Sequence, residues 1–375
     1  MGKIELDHTG AGGGITLSSD GTDLLLDGTA IGGALELYAE NPSSPTAPSA
    51  TGTNAVAIGN GSTATNTDAF AIGRLTDATG SGSIAIGYSV DATGLRSLAI
   101  GAGTNATSSY ASAIGTNSGN NGSQAVTGAG AMALGGSYAS GTDSFAAAIA
   151  NNTSSYGATG ANSVAIGRLA KATGDSSYAF GSSSTGNVAS GNNSFAQGVG
   201  STASATSSIA FIGGTASGYS SFVIGGSDNG VQYRHVLGTN GNVQSSTFRL
   251  WDDTTDATPT VISTNGNAAS ITTANQIILP NNSAYAFHGT IVARQDAASG
   301  TACAAWKIEG LIRREGSAGT TVLVNSATTV LDNTPGWGMA LSADTTNGGL
   351  KIEVTGAAAT NIRWVATVHT SEVTY

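Results

Sequence analysis

The side chains able to do chemistry are few and far apart. Trp337 lies in the turn-rich TPGWG (334–338), where an exposed indole could stack on a sugar ring. Packing in a core or turn is the competing reading. Arg313 and Arg314, at the end of a strand-like segment, are the cations singled out with it as binding candidates. His8, His235, His288 and His369 are widely separated, and the last three read as packing or hydrogen-bonding residues rather than metal ligands. Cys303 is the single cysteine and reads as an apolar filler. It leaves no disulfide framework within the chain and no cysteine-cluster metal site. Asp252, Asp253 and Asp256 read as a wet turn, because no DxDxDG loop surrounds them. The sequon Asn105-Ala-Thr107 has meaning only in an exported chain. No catalytic residue, metal or cofactor is expected, and the chain reads as non-enzymatic architecture.

The composition fits that reading. Of 375 residues, 13 are Lys or Arg and 23 are Asp or Glu, for a net charge of −10. An acidic chain lacks the basic footprint that nucleic acid requires. Glycine numbers 55 and proline only 6, without a G-x-y period, which excludes collagen. No apolar run reaches the roughly 18 residues of a spanning helix, so no membrane insertion is expected. The first 30 residues lack the basic start and apolar centre of a signal peptide.

Charge and proline divide the chain. Residues 1–40 are the most acidic part. Residues 41–49 hold Pro42, Pro45 and Pro48 and read as a linker. No glutamate occurs between Glu40 and Glu309. Residues 50–226 form the middle unit, 227–283 a neck, and 284–375 a C-terminal domain.

The middle unit is a repeat. AVAIG ends at Gly59, AFAIG at Gly73, SIAIG at Gly87, SLAIG at Gly101 and ASAIG at Gly115, each 14 residues after the last. AMALG, SVAIG, SYAFG and SFAQG follow, ending at Gly135, Gly167, Gly181 and Gly198. SFAAA (144–148) fills one slot without the glycine. A fixed short period marks a solenoid. Fourteen residues hold two short strands and two tight turns, not a helix. The side chains alternate, so Val56 and Ile58 share one face while Ala55 and Ala57 share the other. The bulky pair recurs as Phe70 and Ile72, Ile84 and Ile86, Val164 and Ile166, Tyr178 and Phe180, with Ile100 in SLAIG. The expectation is a parallel β-roll whose bulky pair fills a thin interior. Its alanine face would then pack against two further copies about a common axis, because so thin a roll buries little alone. A two-fold dimer and a monomer with a polar ladder remain alternatives.

NAVAIG (54–59), DAFAIG (68–73), GSIAIG (82–87) and NSVAIG (162–167), with ATG between rungs, resemble the head repeat of trimeric autotransporter adhesins. The resemblance covers about 55–226. It implies a left-handed parallel β-roll that trimerises along its length. GITLSSDGTDLLLDGTAIGG (14–33) and IRWVATVHTSEV (362–373) are similar to segments of bacteriophage tail fibres and other virion appendages. Together these imply a virion protein assembled in the host cytoplasm. Residues 1–40 would meet other virion proteins, and the C-terminal domain would meet a host-surface glycan or protein. A cell-surface adhesin fragment and a polysaccharide-degrading tailspike are the alternatives.

The C-terminal part changes grammar. Strand-like segments run at 243–251, 260–264, 275–279, 285–295, 304–315, 320–326, 336–344, 349–356 and 361–370. In IRWVATVH, Ile362, Trp364, Ala366 and Val368 share a face, the pattern of a half-buried antiparallel sheet. The expected fold is all-β: the roll, a neck, and an antiparallel β-sandwich with jelly-roll connectivity. The loops around 296–302, 315–320, 332–338 and 344–349 are the candidate contact loops.

Overall fold

A computed structural model describes residues 4–6, 15–19, 24–26, 29–30, 46–116, 124–147, 156–181, 186–239, 242–297 and 300–375. Of the expected attachment segment, only four short strands are described. Ile4–Leu6, Ile15–Ser19, Leu24–Leu26 and Thr29–Ala30 pair in sequence order, antiparallel. Most of the expected linker lies outside the described residues, as do residues 117–123, 148–155 and 182–185.

The middle unit is a β-solenoid of about 12 turns. Each turn gives one strand to each of two parallel columns. In the first, Val56, Phe70, Ile84, Leu98 and Ser112 stand in register on successive rungs. The column continues through Met132, Phe145, Val164, Tyr178, Phe195, Ile209 and Phe222. The phrase without a glycine, at 145–147, is an ordinary member of this ladder. The second column carries the threonine and alanine strands, such as Thr104–Ala106 and Ala170–Ala172.

The interior differs from the expectation. Ala71, Ala85, Ala99, Ala113, Ala165 and Ala179 are fully buried within a single chain, with Ala78, Ala92 and Ala106 facing them from the second column. The bulky partners point outward: Val56 and Ile84 are each 37% exposed and Tyr178 is 42% exposed. The cause is the length of the rung. Two tight corners hold the columns close, so only Ala, Ser, Thr and an occasional Val fit between them. Packing two layers of Ile or Phe there would need nearer the ~10 Å of ordinary stacked sheets. Strand alternation then sends the large residues out.

The roll also runs past residue 226. His235–Gly238 pairs in parallel with Phe222–Ile224 as a further rung. That rung then pairs antiparallel with the first strand of the C-terminal domain. We label the strands from there β1 (Val243–Thr254), β2 (Thr260–Val261), β3 (Ile277–Ile278), β4 (Ser283–Gln295), β5 (Cys303–Arg314), β6 (Val322–Asp332), β7 (Gly338–Asp344), β8 (Gly349–Thr355) and β9 (Ile362–Thr374). The large sheet has the order rung–β1–β9–β4–β5–β6, antiparallel throughout. A smaller sheet has β8 at its centre, with β7 on one side and β2 and β3 on the other. Residues 243–254, expected in a neck, are therefore a central strand of the large sheet.

One core joins the two sheets. Phe248, Leu250, Ile291, Trp306, Ile308 and Trp364 come from the large sheet; Ile262, Ile277, Leu350 and Ile352 come from the smaller one and its flanks. Successive strands β4, β5 and β6 are neighbours in one sheet, which is a meander. A jelly roll would carry them across between sheets. Among the described residues there is no α-helix, and no helix is long and apolar enough to cross a membrane.

Candidate functional site

The three binding candidates do not form a site. Trp337 is 5% exposed and packs its ring against Trp364, with centroids 5.8 Å apart. Its backbone N–H donates to Asn333 Oδ1 at 2.9 Å, while Asn333 Nδ2 donates to its carbonyl at 2.7 Å. It is a core residue pinned by a turn, not a platform for a sugar. Arg314 donates from Nη1 to the Leu279 carbonyl at 2.6 Å, tying β5 to the end of β3. Arg313 points outward and pairs with Glu315. The successive arginines face opposite sides of their strand, as alternation requires.

The sequence reading missed a buried polar joint between roll and domain. Arg234 is fully buried and forms an ion pair with Glu372, which is almost fully buried. The guanidinium also donates to Ser246 Oγ at 3.0 Å and to the Asp228 carbonyl at 3.0 Å, and lies 5.0 Å from the Phe248 ring centroid. Gln244 Nε2 donates to Glu372 at 2.8 Å and to the Ser227 carbonyl at 3.0 Å. The buried Asp228 carboxylate accepts from the backbone N–H groups of Ser217, Gly218 and Gly230. Burial beside this pair pushes the Tyr285 hydroxyl far above its ordinary range; the Arg234 charge opposes that and the Glu372 charge adds to it. The joint ties the last rungs to β1 and β9. One signal was available: HVLG ends at Gly238, thirteen residues after Gly225, which continues the repeat.

The roll presents two different outer faces. The first column offers the Val, Ile and Phe stripe. Beside it, the rung-closing glycines make the corners. Gly73 and Gly87 have φ of +134° and +135°, and a Cβ on either would lie 1.8 Å from the carbonyl oxygen of the next rung's glycine. Gly59, Gly101 and Gly167 share the positive φ, whereas Gly181 does not and abuts the Asn187 side chain instead. The second column offers polar side chains. Asp77 and Asp91 stand in register on adjacent rungs, so their Cα atoms are about 4.8 Å apart. Burial, and then the Asp77 charge, raise the Asp91 carboxyl above its usual range.

The outward face of the large sheet carries the remaining chemistry. His288 and His369 stack at 5.3 Å between centroids, and Thr247 Oγ1 lies 3.0 Å from His369 Nδ1. Farther along, Arg363 reaches Asp253 at 3.0 Å and Asp296 at 3.1 Å. The hydrogen bond to Asp253, with the charges of Asp253 and Asp296, holds the guanidinium above its usual range. A shallow pocket of about 290 Å³ lies there, lined by Val292, Arg294, Gln295, Asp296, Arg363 and Val365. Asp252 and Asp256 serve as local caps, accepting from the backbone of Ala268 at 2.8 Å and of Thr258 at 2.7 Å. Lys307 with Glu309 and Lys351 with Glu353 are i, i+2 pairs at 3.5 and 3.3 Å.

The YadA head domain repeat family matches residues 50–76, 92–118, 158–184 and 189–211, all within the roll. The middle unit is thus a β-solenoid built of adhesin head-type repeats. No curated protein matches the chain. A solved structure, the tailspike protein gp49 from Acinetobacter baumannii bacteriophage Fri1, a capsular polysaccharide depolymerase, is similar over 73% of this chain and 54% of its own length. The identity is 10% and the TM-score 0.24, so it carries no argument about this chain. The chain spans about half the length of that tailspike.

Proposed function

We propose that the chain is a non-enzymatic subunit of a trimeric fibre on a phage virion, which holds its C-terminal domain out towards the host surface. The observation that carries this reading is the unburied apolar stripe along a roll of adhesin head-type repeats. A single chain leaves Val56, Ile84, Met132 and Tyr178 each more than a third exposed in one line, and exposed apolar surface of this extent marks an interaction face. Two further copies, packed stripe to stripe, would cover it. Residues 1–40 would join the fibre to other virion proteins. The buried joint at Arg234 makes the roll a stiff support for the terminal domain. The contact surface for a glycan or protein would be the polar end of the large sheet, around Arg363 and the pocket beside it, rather than Trp337. Three linked copies of a weak site raise avidity by about 10²–10⁴.

The test is competition. The purified full chain should block adsorption of intact particles to host cells, and Arg363→Ala should weaken the block without changing the mass of the assembly. Failure of the wild-type chain to compete would leave a structural role in the virion.

A second reading, glycan cleavage, has one observation in its favour. Asp77 and Asp91 are paired carboxylates, one of them with a raised pKa, as glycoside hydrolysis uses. New reducing ends from capsular or lipopolysaccharide glycan, lost in Asp91→Asn, would establish it; none from the wild-type chain would remove it.

A further inference from the structure

The bulky stripe of the roll and the outward face of the C-terminal sheet are one surface. Phe222 stands in register with His235, His235 with Thr247, Thr247 with His369, and His369 with His288. The neighbouring row runs Ile224, Leu237, Ser245, Ser371, Ala286, Leu311 by the same pairings. No edge or break in hydrogen bonding separates the last parallel rung from β1, so side chains that leave the roll on the stripe side leave the sheet on the same side.

The chemistry is continuous as well. Leu237 and Val243 are each 59% exposed, and Val373 is 52% exposed, at the roll end of the sheet. Between them lie Ser245, Thr247, Ser371, Ala286 and the two stacked histidines, with no Asp, Glu, Lys or Arg side chain. A cleft of about 260 Å³ opens in this area between Phe222, His235, Leu237, Ser245 and Thr247. Charges resume farther along the strands, with Arg249, Arg294, Arg363 and Asp253, and across the sheet on β5, with Lys307, Glu309 and Arg313, the last in the row of Val373 and Ala284. An uncharged patch flush with an apolar stripe, bounded by charge on its far side, has the layout of an interface core and its rim.

We propose that the roll-proximal half of this sheet face is part of the contact between copies of the chain, with a second copy as its occupant, and that the charged distal half stays in water. The inference rests on the reading of the stripe as the face where copies meet. Chains that align along the stripe bring their own His235, His369 and Ala286 towards one another, because the face is the same sheet. The terminal domains are then clamped together rather than splayed, and only their distal ends are open to a host ligand.

The chain carries its own reference probe. Cys303 is exposed and pairs with Arg294 at the distal end of the face. Two outward positions, His369→Cys and separately Ala286→Cys, report on the proposed contact; Ile84→Cys reports on the roll stripe. Each variant of the full chain is treated with a neutral alkylating reagent, and the rate at each thiol is read by peptide mass spectrometry relative to the denatured chain. The expected result is alkylation at 369 and 286 at least about tenfold slower than at Cys303, since thiol reactivity follows access. If position 84 is protected but 369 and 286 react as fast as Cys303, the sheet face is free and this inference is wrong while the roll contact stands. If 84, 369 and 286 all react freely, both readings fail.

Discussion

Roll and terminal domain share one hydrogen-bonded sheet, yet they fill its inner face in opposite ways. Along the roll the inner row is alanine on rung after rung, then Val223 and Val236 at its end. In the terminal domain the same face carries Phe248, Leu250, Ile308 and Trp364. Burying a methyl is worth about 0.8 kcal/mol and a large apolar side chain about 1.5–3 kcal/mol. The domain can therefore support itself from its own core. The roll gains little per rung inside a single chain, and its large side chains stand on an outer face that the proposed trimer would cover. On the proposed trimer, the terminal domain supports itself and the roll depends on association.

All four tryptophans lie at or beyond residue 251, so tryptophan fluorescence follows the domain while far-UV circular dichroism follows both regions. The largest expected effect is at the joint. Arg234→Met leaves Glu372 buried without its partner and should destabilise the domain by about 3–5 kcal/mol. Adding Glu372→Leu should recover much of the loss. Equal losses in the single and double variants would mean that the pair does not bind roll to domain.

Next is the corner. Gly87→Val places a Cβ against the Gly101 carbonyl at a φ that valine avoids, and should cost the roll on the order of 3 kcal/mol per chain. The outward Thr63→Val is its control. The domain's fluorescence transition should hardly move. Equal shifts for Gly87→Val and Thr63→Val would refute the corner geometry.

The interior comes third. Ala99→Leu overpacks a position with 0% exposure and should cost about 1–3 kcal/mol. If it were neutral, the two columns would be farther apart than alanine packing implies.

The smallest effect is a pH dependence confined to the roll. Burial and Asp77 raise the Asp91 carboxyl in the fold. An acid whose pKa is raised on folding weakens the fold when ionised, and the penalty is relieved as pH falls through the folded value towards the ordinary carboxyl value of 3.8. Asp91→Asn should therefore stabilise the roll at neutral pH, by about 0.5 kcal/mol or less at so open a site, and lose that advantage below about pH 4. Thermal melts at pH 7 and pH 3.5 check the sign.

The repeat was legible because its period is short and its phrases keep their spacing. The side on which the roll closes was not. Alternation tells which residues share a face, and Val56 with Ile58 do; it does not tell which face is inside. That choice is made by the corners, whose tightness admits Ala85 and excludes Ile84. Trp337 shows the same limit, since TPGWG describes a turn equally well whether its indole points to solvent or, as here, to Trp364. The joint was beyond reach because Arg234 and Glu372 are 138 residues apart and isolated charges carry no period. Ser62, which falls between two of the repeated phrases, is buried and donates to the Gly59 carbonyl.

The central claim is that the bulky stripe is where copies of the chain meet. Native mass spectrometry of the full chain at micromolar concentration tests it most directly. The expected result is a species three times the 36.6 kDa chain, and its loss in Ile84→Glu/Ile86→Glu, a variant whose circular dichroism keeps its β-sheet signal. A wild-type monomer, or a trimer that survives glutamates at both positions, would contradict it.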